Sequence, residues 1–104
     1  MPKSKSSTEI QSMVNRRFFE VVDCLVENGT LHSLSGFAIE CGLHAPRYRE
    51  MRAVYGTRPT MGSSSRYVAV ETEALFYLIA RYHVSADWLM TGRGRMFEHN
   101  ETYR

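Results

Sequence analysis

Long apolar runs are missing from this 104-residue chain. No stretch approaches the roughly 20 consecutive apolar residues that a membrane-crossing helix needs, and the opening MPKSKSSTEIQS has no apolar segment suited to a secretory signal. The expectation is a cytoplasmic protein without a membrane partner. Cysteine is nearly absent. Cys24 and Cys41 have no C-x-x-C spacing and no second pair, which argues against a disulfide framework or a zinc knuckle and leaves both as small buried apolar side chains. The histidines at 32, 44, 83 and 99 lack i, i+4 pairing and cysteine partners, so no metal site is expected. Paired carboxylates and a Ser, His and acid constellation are also missing. Ser63 to Ser65 do not resemble a nucleophile elbow, and TGRGR lacks the flanking strand and helix of a nucleotide loop. These gaps weigh against an enzyme and against a bound cofactor.

What is present suits one domain, because 43% hydrophobic residues in a chain of this length can build a modest single core. Residues 1–9 are Ser/Lys-rich and aperiodic, and read as a disordered tail. Ile10, Val14, Phe18, Val22 and Leu25 recur at helical spacing until Asn28-Gly29 gives an end signal. Ser33 can cap a second helix, with Leu34, Phe37, Ala38 and Cys41 on one side, and Gly42 stops it. Leu43 fills the turn, and a third, short helix carries Pro46 in its first turn and ends near Gly56. TRPTMGSSSR then reads as a long mobile loop, and RYVAV as a short extended segment. A fourth helix begins near Val70, with Thr72, Leu75, Leu78, Ile79 and Tyr82 on one face. Glu71 and Glu73 at its start and Arg81 near its end suit the helix dipole. Ser85 caps a last helix, ADWLMT, that Gly92 closes. The fold class expected is all-α, a compact five-helix bundle spanning 10–97, followed by a tail at 98–104.

Charge is unevenly spread. Between Leu43 and Arg66, five arginines (47, 49, 52, 58 and 66) face Glu50 alone, a local +4 in a chain whose total is +2, so the remainder carries −2. A single basic region favours a localised polyanion contact. It follows a compact αα corner in which Ala38 keeps the helix axes close and Gly42 supplies positive φ. Projected on a wheel, Tyr48, Met51 and Tyr55 of the third helix face inward, Pro46, Arg49, Glu50 and Ala53 outward, and Arg47 and Arg52 lie on the flanks. An outward Arg49 suits a guanine edge, and Arg47 and Arg52 suit the phosphates on either wall of a major groove.

GFAIECGLHAPRYREMR resembles the helix-turn-helix of the Xre/phage-repressor family of transcriptional regulators, and YHVSADWLMTGRGRMF resembles the ending of its Bacteroidetes-type and phage-type members. The resemblance covers roughly Asn15 to Phe97. It implies a lambda-repressor-like fold and sequence-specific binding of double-stranded DNA by a regulator, with a repressor the expected sign. Position by position, Ala38 and Gly42 match the small residue and the turn glycine, Leu43 the buried turn residue, His44 to Arg52 the recognition helix, and Trp88 and Leu89 the core of the closing helix. The expected DNA contacts are His44, Ala45, Pro46, Arg47, Arg49, Glu50, Arg52, Arg58 and Arg66. Two departures stand out. His44 occupies the place of a Ser, Thr or Asn cap, and the connection between the third and fourth helices is about ten residues longer than in compact members. That loop either lies along the phosphate backbone through Arg58, Arg66 and Tyr67 or is a tolerated insertion.

Phe76 and Tyr77 fall outside the inward stripe of the fourth helix and suggest a homodimer, in which two recognition helices would meet successive major grooves about 34 Å apart. The competing function is a protein-interaction module, antitoxin-like or phage-accessory, built on the same fold. No small-molecule effector is evident.

Overall fold

The first helix of the computed structural model, which describes residues 6–98, begins earlier than hydrophobic spacing suggests. Helix α1 runs Ser7–Glu27, and its start is set by a capping box. The Glu9 N–H donates to Ser6 Oγ at 3.1 Å and the Ser6 N–H donates to the Glu9 carboxylate at 2.8 Å. Two otherwise orphaned amides are satisfied by local side chains. Residues 6–9 therefore begin a helix rather than end a tail. The remaining tail expectations, for 1–5 and for 99–104, lie outside the described residues.

Among the described residues four more helices complete an all-α five-helix bundle: α2 Leu34–Glu40, α3 Ala45–Tyr55, α4 Thr72–Tyr82 and α5 Ala86–Thr91. Among the described residues none is long and apolar enough to cross a membrane. The core gathers around Phe18 of α1. Its ring meets Phe19 edge-on at 4.9 Å, Tyr48 of α3 at 5.6 Å and Phe37 of α2 at 6.1 Å. Helices of seven and six residues, as α2 and α5 are, cannot persist alone. Burial of Leu34, Phe37, Ala38 and Leu89 in this shared core is what stabilises them.

Helix α4 turns its expected face to the core except at Thr72, and adds Ala74 to that face. Ala74 and Leu78 are fully buried, Leu75, Ile79 and Tyr82 are half-buried, and Thr72 is exposed. Ala74, having no side chain beyond Cβ, lets the backbone approach the core. Leu89 is fully buried and the half-buried Trp88 packs against the same core, so both take the core role expected of them.

The RYVAV segment forms no strand. It is tethered instead by Asn15, which is 1% exposed inside α1. The Asn15 Nδ2 donates to the Val68 carbonyl and the Val70 N–H donates to Asn15 Oδ1, both at 3.0 Å. One buried amide thus replaces a strand partner on both sides of Ala69. After α4, His83 takes a left-handed conformation (φ 60°) and reverses the chain. An antiparallel bridge then pairs Val84 with Phe97. Two backbone bonds of 2.8 Å flank that bridge, from the Ser85 N–H to Met96 and from the Glu98 N–H to His83. Arg17 reaches from α1 to the end of α5 and donates to the carbonyls of Leu89 (2.8 Å) and Met90 (2.9 Å), a favourable place for a cation at a helix C-terminus.

Candidate nucleic-acid interface

The basic region is built on the corner between α2 and α3. Ser33 caps α2, its hydroxyl accepting from the Gly36 N–H at 2.9 Å. At the other end Gly42 takes φ 72°, its N–H donating to Ile39 at 3.1 Å while the Leu43 N–H donates to Ala38 at 2.7 Å. This pair of bonds is a Schellman motif, which leaves Leu43 to pack on the core and turns the chain directly into α3. Ala38 is fully buried under the turn. His44 precedes α3 with no side-chain cap bond, as its weak capping chemistry suggests, and stays exposed.

Tertiary packing sorts the α3 side chains. Tyr48 and Met51 are fully buried. The Tyr48 hydroxyl donates to the Glu71 carboxylate at 2.9 Å and accepts from the Glu71 N–H at 3.1 Å, which locks α3 to the start of α4. Burial holds the Tyr48 phenol well above the usual tyrosine range, so it remains a donor at any physiological pH. Ala45, placed among the DNA contacts, is 7% exposed and belongs to the core instead.

Arg47 is likewise turned inward. Its Nη2 donates to the Ala69 carbonyl at 2.6 Å, its guanidinium lies 4.8 Å from the Tyr67 ring centre, and its Nε sits 4.0 Å from the Glu71 carboxylate. A guanidinium spent on these partners is not free to meet a phosphate. Arg52 pairs with Asp23 of α1, whose second oxygen accepts from the Thr57 hydroxyl at 2.7 Å. Arg58 lies beside this clamp, on the wall of a shallow recess of about 150 Å³.

Glu50, expected to face bases, is half-buried and turned toward the loop. It accepts from the Arg66 N–H at 2.9 Å and from the Ser65 hydroxyl at 3.1 Å, and its other oxygen lies 3.4 Å from the Arg66 guanidinium. The Arg66 amide, then the Ser65 hydroxyl and the Arg66 charge, outweigh desolvation and hold its carboxyl below the ordinary glutamate range. The loop is therefore fastened at both ends by carboxylates, Asp23 at Thr57 and Glu50 at Ser65 and Arg66. The Arg66 side chain itself remains 77% exposed.

What stays outward on α3 is Arg49 with Pro46. Arg49 is exposed, and its Nη1 donates to the neutral Ser35 hydroxyl of α2 at 3.0 Å. Of the nine expected contacts, His44, Pro46, Arg49 and Arg58 are thus exposed without a carboxylate partner among the described residues, Arg52 and Arg66 are exposed but paired with carboxylates, and Ala45, Arg47 and Glu50 serve the fold. The residues behind this sorting were not among the expected contacts: Asp23 and Glu71, which face Arg52 and Arg47, and Asn15, which fixes the backbone on both sides of the Ala69 carbonyl that receives Arg47. A lone asparagine between Val14 and Phe18 on an otherwise apolar stripe is the one sequence signal that points to any of them. Comparison with known proteins adds no relative: no family model, no curated protein and no solved structure matches the chain.

Proposed function

We propose that the protein binds double-stranded DNA in a sequence-dependent manner through the α2–turn–α3 corner, as a cytoplasmic transcriptional regulator of the repressor kind that works as a homodimer. The observation that carries this reading is Arg49. Arg47 is held by a carbonyl and Arg52 by a carboxylate, whereas Arg49 projects from the outer face of α3 with nothing stronger than a serine hydroxyl as partner. Exchanging that hydroxyl for the two acceptors of a guanine edge costs little and gains a bidentate, charge-assisted pair. Arg58 and the exposed Arg66 lie on the loop beside α3 and supply positive charge toward the phosphates.

Selection from a randomised duplex library, followed by anisotropy titration of selected and scrambled duplexes at several salt concentrations, tests it. A defined motif bound with affinity that falls as salt rises is the expected result. Arg49→Ala then relaxes the preference at one base pair and costs roughly 1–3 kcal/mol. A loss equal across all sequences would reassign Arg49 to a phosphate. Weak binding that ignores sequence would favour the competing protein-interaction module, for which Ile39, 70% exposed on α2, is the specific supporting observation.

A further inference from the structure

The loop between α3 and α4 is tethered, not slack, and its tip is apolar. The Thr60 N–H donates to the Ala53 carbonyl at 2.8 Å, which ties the loop to the last turn of α3, the helix that carries the exposed Pro46 and Arg49. The Ser63 N–H then donates to the Thr60 carbonyl at 3.1 Å, and Gly62 takes φ 81°, the positive value a type II turn requires at its third position. Met61 occupies the second position and is 99% exposed. The other large exposed apolar side chains, Phe76 and Ile39 among them, keep some cover from the body of the protein, but Met61 has none.

We propose that Met61 is a wedge that enters a base step of the minor groove bordering the major groove occupied by α3, and so bends the duplex. The inference rests on the DNA reading given above and deepens it. The physical grounds are three. An unbranched thioether side chain is narrow and polarisable enough to slide between bases, and apolar residues of this kind are what minor-groove proteins insert to unstack and kink DNA. The turn that carries it is closed by its own hydrogen bond and lies between two carboxylate clamps, so little conformational entropy is lost on insertion. Arg58 and Arg66, both exposed on the same loop, supply positive charge near the wedge, and flexible pyrimidine–purine steps are the expected targets.

The test uses the full chain and end-labelled duplexes recovered by selection, with 2-aminopurine placed through the flank of the motif. End-to-end energy transfer reports a bend of roughly 20–90° for the parent, with 2-aminopurine brightening at one step. Met61→Ala, whose thermal melting matches the parent because the side chain touches nothing, leaves the duplex straight, binds roughly ten-fold more weakly and keeps the same base preference at the motif. Met61→Leu restores the bend. A parent complex that is straight, or a bend that survives in Met61→Ala, overturns the wedge while leaving the DNA reading intact. Failure of the parent to bind any duplex overturns both.

Discussion

Replacing Arg47 with alanine separates a structural arginine from a DNA-contacting one. The Nη2 bond to the Ala69 carbonyl, at 2.6 Å and made by a charged donor in a part-buried setting, is worth about 1.5 kcal/mol or somewhat more. Stacking at 4.8 Å on Tyr67 adds about 0.5–1 kcal/mol. The pair with Glu71 spans 4.0 Å between groups that are 24% and 36% exposed, so it is discounted to less than about 1 kcal/mol. Against these stands the Nε, buried with no hydrogen-bond partner, whose removal returns about 1 kcal/mol. The net expectation for Arg47→Ala is a loss of about 1–3 kcal/mol of folding stability. Urea denaturation followed by circular dichroism measures it, as a lower midpoint at unchanged slope. Arg47→Lys should lose nearly as much, because an ammonium cannot reach the Ala69 carbonyl while lying flat on the Tyr67 ring. Arg49→Ala, in the same assay, should stay within about 0.5 kcal/mol of the parent, as exposed substitutions do. A loss below about 0.5 kcal/mol for Arg47→Ala, joined to a large loss of duplex affinity, would refute this account and return Arg47 to the phosphate role.

Two further outcomes follow from the loop and from α4. Because the folded-state pKa of Glu50 lies below its unfolded value, its contribution is fully present above the ordinary glutamate value of about 4.3 and disappears as pH falls through the lower folded value. The Arg66 amide proton should therefore shift in NMR with a midpoint under about 4.3 and show no such titration in Glu50→Gln; a midpoint at or above that value would remove the clamp. The proposed homodimer rests on Phe76, 59% exposed and edge-on to Tyr77 at 5.3 Å, so if it forms, Phe76→Asp should sediment as a monomer at concentrations where the parent is a dimer. An unchanged oligomeric state would leave the dimer without support.

Five helices, their caps at Ser33 and Ser85, and the stops at Gly42 and Gly92 could be read from the chain itself. Each depends on contacts within a few residues: a hydroxyl facing an amide three positions on, a positive φ that glycine tolerates, an apolar stripe with the period of a helix. The capping box at Ser6 and Glu9 is equally local and was legible as S-x-x-E, though the apolar stripe begins only after it, at Ile10, and so disguised the helix start. Outward placement of Arg49 and inward placement of Tyr48 and Met51 were legible for the same reason, since a wheel needs no knowledge of what lies opposite.

The fate of the flanking side chains was not local. Arg47 finds its partners 20 to 24 residues further on, at Tyr67, Ala69 and Glu71, and Glu50 finds Ser65 and Arg66. Arg52 reaches back to Asp23, and Asn15 reaches forward across more than half the chain to Val68 and Val70. Sequence by itself determined that this chain is helical, where its corner turns, and that a cluster of arginines sits on and after it. Tertiary structure alone decided which of those charges remain available, because a guanidinium is long enough to face either solvent or the fold, and the direction it takes depends on carbonyls and carboxylates that only folding brings within its reach.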